Sequence, residues 1–408
     1  MRCTLMVYET TPEVRSRMRR ERRALGWDIP RMAQELRDAA DYPYKMPSVR
    51  SLRRYVERWE AGDVVRITER YRILYSRALN MSEDELFQDG PQPLRPPNPA
   101  EGDVEAIRGM LTALMASDRQ FGGTRIRQQA TDYLKDVIEP RLHGHAPDAL
   151  RRRLFAASTE FTLRVSAMNL DTDRLDASLM LLGRAASMAN ESEDASLTAW
   201  VLSRRGEHEM HQAALADRPA LRANFVQQAL AYTEGAVGVA RTAPPLSRSF
   251  LTTKAALAWS LTGDRAGTQR MLGSVWDAYD QVGTKDEPAW MGAYGLGHLR
   301  HEEARCYVNL GMGRDAVRSA EASLPVRTDL RPRAFSLGVL SIAHAQALEI
   351  EQACARGQEL LTLAAQISSR RICLRVTEVL VALHAHRAEP EVEELFEAAQ
   401  PVLAGCLR

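Results

Sequence analysis

The sequence predicts an all-α protein: a small basic head, a proline-rich connector and a long body of helix upon helix. Three observations predict it. The 408 residues are 45% apolar but only 6% aromatic. The core is therefore mostly Leu, Ala and Val, a composition that favours helix, and at this length two or more cores are expected. Beyond about residue 101 the apolar residues recur at helical spacing with short Gly, Asp or Pro breaks and no strand alternation. Between Asp89 and Pro99 stand five prolines, which exclude helix and central strand and mark a semi-rigid linker. The expected division is 1–88, a linker over 89–100, and 101–408.

Within the head, Pro12 and Glu13 open a first helix carrying Val14, Met18 and Leu25. Asp28 is a good N-cap and Pro30 suits a first helical turn, so a second helix starts there, with Met32, Ala33 and Leu36 at core spacing. The prolines of Asp41–Pro47 make a loop. Ser48 caps a third helix that ends at Gly62, a residue suited to the left-handed end of a helix. A fourth helix is expected to hold Ile67, Tyr71, Leu74, Tyr75 and Leu79 on one face. Ser82 and Glu85 form a capping box for a last short helix through Leu86 and Phe87.

The net charge of +1 hides an asymmetry. From Pro12 to Asn80 there are 17 Arg and Lys against 10 Asp and Glu, so this segment carries +7 and the remainder −6. A basic segment on an acidic body fits a nucleic-acid reader joined to a sensor or interaction domain. The third helix is the candidate reading element, with arginines on one face and apolar residues on the other, as a DNA major groove accepts. Arg50, Ser51, Arg53 and Arg54 occupy its first turns, and Arg58 and Arg31 join the DNA-facing set. Leu52, Tyr55, Val56 and Trp59 form the opposite, core-facing side. Arg15, Arg19, Arg22 and Arg23 of the first helix either reach the flanking phosphates or form a solvated face.

The chain contains 50 arginines but four lysines, and five cysteines without Cys-x-x-Cys spacing. The odd count reads as reduced thiols in a cytosol. The Met1–Val7 opening is too short for a signal-peptide core, and no run of about 18 apolar residues occurs. A cytoplasmic protein with no membrane partner is expected. No nucleophile elbow, phosphate loop or persuasive carboxylate pair is present, so a non-enzyme without cofactor is expected. Histidines come in pairs, His143 and His145, His208 and His211, His298 and His301, His384 and His386, none in zinc-hydrolase spacing. No metal site is assigned to them.

The body shows loose repeats. Glu303-Ala304-Arg305-Cys306-Tyr307, then Leu310-Gly311, Ala316, Ala320 and Leu324, follow a tetratricopeptide-like rhythm of small residues that let paired helices approach. The matching alanines Ala266, Ala316 and Ala353 lie 50 and 37 residues apart, so the repeats are uneven.

The head resembles the Cro/C1-type (Xre-family) helix-turn-helix regulators of actinobacteria, in a version fused to C-terminal tetratricopeptide-like repeats. The resemblance is carried by Val56-Glu57-Arg58-Trp59-Glu60-Ala61-Gly62, by Tyr71–Leu79 and by Met81–Phe87. In the body it is carried by Ala334-Phe335-Ser336-Leu337-Gly338 and Ala343–Ala355. Two departures stand out. Ala33 and Trp59 are 26 residues apart, so a loop is inserted before the recognition helix, and Ile29, Pro30 and Arg31 stand where a Gln is usual. The resemblance implies a helix-turn-helix domain on a helical-repeat solenoid. It also implies a transcriptional regulator that binds double-stranded DNA and whose concave inner surface receives a peptide, small molecule or protein, a peptide first. His298, His301, Arg305 and Asn309 are expected on that surface, with Gln346 in the next repeat and Arg205, His208 and Gln212 in an earlier one. A homodimer is expected, because paired heads on paired half-sites multiply a weak single-head affinity. The alternative is an interaction scaffold whose degenerate head no longer binds DNA.

Overall fold

The structure, a computed structural model, describes residues 7–40, 42–87 and 98–406. The fold is all-α, with a single two-stranded ribbon among the described residues. The chain forms two compact units, Met1–Pro97 and Asn98–Arg408. The proline-rich run 89–97 lies outside the described residues, as does Cys3.

In the first unit, helix α1 spans Pro12–Ala24, α2 Ile29–Asp38, α3 Val49–Ala61, α4 Glu69–Leu79 and α5 Glu83–Phe87. The caps follow local chemistry. Asp28 accepts from the Arg31 amide at the start of α2, and Ser48 from the Ser51 amide at the start of α3. Ser82 and Glu85 exchange backbone and side-chain hydrogen bonds ahead of α5. Gly62, at φ 89°, ends α3 in the left-handed region. Met18, Met32, Leu36, Leu52, Val56 and Tyr75 are fully buried between the helices.

Two readings of this unit are corrected. Ile67 belongs to a strand and not to the fourth helix: β1 (Val7–Glu9) pairs antiparallel with β2 (Arg66–Thr68) in the register Tyr8 to Ile67. Three-residue strands are too short for period-2 alternation to be visible. In the first helix, Arg22 is buried and belongs neither to a solvated face nor to a phosphate-reaching one, while Arg15 and Arg19 are half-buried. Arg22 forms a bidentate, buried pair with Glu60 at 2.8 and 2.7 Å and also donates to the Trp27 carbonyl. Arg15 binds the Thr10 carbonyl and Arg19 the Glu60 carbonyl.

In the second unit, α6 (Glu101–Phe121) is followed by α7 (Arg127–Tyr133), a π-helical turn at Leu134–Ile138 and α8 (Glu139–Leu142). Helix hairpins follow. They pair α9 (Asp148–Leu170) with α10 (Leu175–Ser192), α11 (Ala195–Leu215) with α12 (Pro219–Val239), and α13 (Pro245–Leu261) with α14 (Arg265–Tyr279). Next are α15 (Leu296–Asn309) with α16 (Gly313–Ser323) and α17 (Leu330–Gln346) with α18 (Ile350–Ala364). Then come α19 (Arg370–Leu383) and α20 (Pro390–Cys406). The first helices of successive hairpins also pack on one another, from α9 through α19, so they form one inner layer. Small residues let the helices of the hairpins approach: Ala304, Ala316, Ala320 and Ala353 are fully buried.

The stack returns on itself. Helix α6 packs on α9 and on α17. The Ser368 amide donates to the Phe121 carbonyl, and the Ser369 hydroxyl to the buried Asp171 carboxylate at 2.7 Å. No helix among the described residues is long and apolar enough to cross a membrane. Cys306 and Cys354 are free and buried, whereas Cys373 is disulfide-bonded, which departs from the reading of all thiols as reduced.

Candidate functional site

Each unit presents one candidate surface. In the first, α3 is amphipathic in the literal sense. Leu52, Val56 and Trp59 are buried, and Trp59 Nε1 donates to the Arg66 carbonyl at 3.1 Å, fastening α3 to β2. Tyr55 is 38% exposed and packs against Trp59 and Tyr71 from the rim. On the outer face Arg50, Arg53, Arg54 and Arg58 are all exposed, and Ser51 is half-buried beside the cap. Arg53 is held by Glu57 at 2.9 Å. Arg31, exposed at the start of α2, is held by Glu35. Arg50, Arg54 and Arg58 form no ion pair among the described residues. Just ahead of α3, a loop with a 3-10 turn at Pro43–Lys45 exposes Tyr42 and Tyr44, with Lys45 over the Tyr42 ring. Met46 is buried and anchors that loop. The surface thus combines free cations, exposed rings and a helix N-terminus, a combination that can bind phosphates and base edges.

In the second unit the inner helix layer surrounds a cavity of about 1090 Å³. A chain of alternating charges crosses its wall. Arg204 pairs with Glu207 on α11, and Glu207 meets Lys254 of α13 at 2.6 Å. Lys254 is 3.0 Å from Glu302 of α15, whose other oxygen takes Arg305 at 2.8 Å. Lys254 and Glu302 are only 4% and 5% exposed, so these charges persist because each is paired. Burial opposes the Glu302 charge, but Arg305 and Lys254 outweigh it and hold the carboxyl well below its usual range.

His298 and His301 lie on the same wall. Burial pushes both well below the ordinary histidine value, helped by Lys254 at His298 and by Arg327 at His301, so both are neutral at pH 7. His301 shares a 3.1 Å hydrogen bond with the Ser336 hydroxyl. No group of three or more metal-type side chains gathers among the described residues. Burial also pushes the Cys306 thiol up to about 12, which leaves it protonated and a poor nucleophile.

Comparison with known proteins finds no family model and no curated protein that matches this chain. The site is therefore read from its residues.

The cavity gathers four of the expected effector-site residues, His298, His301, Arg305 and Asn309, all on α15. It does not gather the other four. On α11 the cavity lining includes Arg204, Glu207 and His211, one position before Arg205, His208 and Gln212. One residue is a 100° rotation on a helix, enough to change faces. Arg205 instead donates to Tyr232 on α12, and His208 is fully buried. Gln346, near the end of α17, donates to the Val308 carbonyl and stays outside the cavity. Repeat length varies along the body, so the register of α15 does not carry over to α11, where it differs by one residue.

Sequence reasoning missed Lys254, Arg164, Arg204, Arg331 and Arg371. Lys254 had a signal: it is one of four lysines in the chain and the only charged residue between Phe250 and Leu257. The arginines had none, because they look like the other arginines of an arginine-rich chain.

Proposed function

We propose that this protein is a sequence-specific DNA-binding transcriptional regulator whose helical body is an effector-binding, tetratricopeptide-like solenoid. The observation that carries the reading is the face of α3. A well-capped helix, fixed by Trp59 and Leu52, holds Arg50, Arg53 and Arg54 outward in its first turns. In helix-turn-helix docking those turns meet base edges. Arginine suits guanine O6 and N7 there, at roughly 1–3 kcal/mol of discrimination per bidentate pair. The burial of Arg22 removes one charge from the surface of α1 but leaves α3 intact. In the body, an inner layer of helices around a charged cavity offers a place for an effector. Such a ligand would act by binding one arrangement of the protein better than another.

The test is selection of bound sequences from random duplexes with the full-length chain, at moderate salt. Enrichment of a defined motif is expected. Affinity should fall steeply with salt, and the joint Arg50→Ala and Arg54→Ala variant should show a shallower salt slope, because each neutralised phosphate releases counterions. No preference over random duplex would replace this reading with an interaction scaffold, whose head docks on another protein.

A further inference from the structure

The body cavity holds more cations than its own carboxylates neutralise. Among the described residues its wall carries ten arginine and lysine side chains against five aspartates and glutamates. Part of the excess lies in two pairs of guanidinium groups, each sharing one ring. Arg164 and Arg204 both donate to the Tyr294 hydroxyl oxygen, at 3.0 and 3.2 Å. Arg331 and Arg371 both approach the Phe335 ring, each 5.4 Å from its centre.

One member of each pair is balanced. Arg204 has Glu207, and Arg331 has Asp118 and Asp171. Arg164 and Arg371 form no ion pair among the described residues. The buried Nε atoms of Arg164, Arg204 and Arg331 find no hydrogen-bond acceptor in the protein. The charges also oppose one another: Arg331 is opposed by Arg204 of the other pair, and Arg371, already disfavoured by burial, is opposed by Arg331 of its own. Cations brought together out of water without counterions are costly. An anion placed among them offsets that cost, and planar guanidinium groups match carboxylate and phosphate oxygens in particular.

The volume adds a second constraint. About 1090 Å³ is at or above the top of the range of about 300–1,000 Å³ for small-molecule sites. The space exceeds what a bare anion needs. Val339, Ile342, Leu257 and Leu374 supply apolar wall.

We propose that the body cavity binds an anionic small molecule whose phosphate or carboxylate group is held by Arg164, Arg204, Arg331 and Arg371. Its uncharged remainder packs on the apolar wall. The proposal rests on the effector-binding half of the reading above and is independent of whether the head binds DNA.

The experiment uses the full-length chain without DNA, so a failed DNA selection leaves it unaffected. Thermal melting and calorimetric titration are run with sodium pyrophosphate and with sodium citrate, each against sodium chloride at matched ionic strength. Saturable stabilisation of the wild type by at least one of the two anions is expected. The stronger of the two distinguishes a phosphate from a carboxylate ligand. Arg371→Gln breaks no ion pair and removes a charge that burial and the repulsion of Arg331 and Arg305 disfavour more than the attraction of Asp171 and Glu207 supports it. The unliganded variant should therefore melt at or above the wild-type temperature while binding the anion at least ten-fold more weakly. Arg164→Gln, which also breaks no ion pair, provides the same measurement should Arg371→Gln fold poorly. If neither anion acts beyond chloride, or if both variants bind as tightly as the wild type, the proposal is overturned.

Discussion

Arg22 and Arg53 have the same side chain, yet their surroundings give them opposite roles. Arg22 is 6% exposed and locked to Glu60, which is 4% exposed. Arg53 is 55% exposed and paired along its own helix. Removing one partner of a buried pair leaves the other charge uncompensated, at a cost of about 3–5 kcal/mol. An exposed pair on one helix contributes about 0.3–0.5 kcal/mol. Arg22→Ala should therefore lower the stability of the N-terminal unit by several kcal/mol in chemical denaturation followed by Trp fluorescence, while Arg53→Ala changes it little. Equal effects of the two substitutions would show that the Glu60 carboxylate is hydrated and the pair less buried than described. In the sequence these arginines are indistinguishable, because both lie at ordinary helical spacing beside acidic residues. Burial alone separates them, and burial depends on what the rest of the unit places opposite each one.

At the scale of the element, the ends were legible and the faces only partly so. Asp28, Ser48, Ser82 and Gly62 act within three residues of themselves, so their capping could be read from adjacent positions. The β1–β2 ribbon joins segments about sixty residues apart through backbone hydrogen bonds, and no side-chain pattern announces that. The face of α11 depends on its neighbours α9 and α13, so spacing within the helix does not fix it to one residue. Close approach between elements gives a sharp test. A Cβ added at Gly313, at the start of α16, would lie 2.7 Å from the Ala347 amide nitrogen and 2.9 Å from the Ala343 carbonyl oxygen. Both are backbone atoms and cannot rotate away. Gly313→Ala should destabilise the body by about 1–3 kcal/mol through overpacking, read as a lower melting temperature of the full chain. An unchanged melting temperature would mean that α16 and α17 are further apart than described.

The whole body depends on its closure. Asp171 is fully buried and joins two distant segments: its carboxylate meets Arg331 at 2.8 Å and the Ser369 hydroxyl at 2.7 Å, and its backbone carbonyl accepts from the Arg370 amide at 3.2 Å. These contacts bring α9 to α17 and α19 across about 160 to 200 residues of chain. Asp171→Ala removes the two side-chain contacts, keeps the backbone bond from the Arg370 amide, and leaves Arg331 with Asp118 alone. A loss of about 3–5 kcal/mol is expected, with hydrogen exchange rising first in α6 and at the start of α19. Uniform exchange protection in the variant would show that closure rests on apolar packing.

The sequence by itself determined what is local: an all-α chain, the caps and ends of the head helices, the basic face of α3 and the small residues at which body helices touch. Each follows from residues within a few turns of one another, where helical period and backbone hydrogen bonding set the outcome. Only the tertiary structure decided which arginines are buried, which face of α11 meets the cavity, and that α6 closes against α17. Those outcomes depend on charges and surfaces brought together from far apart in the chain. An arginine becomes an internal tie, a free surface charge or part of a cation cluster according to the carboxylates and rings that the fold sets beside it.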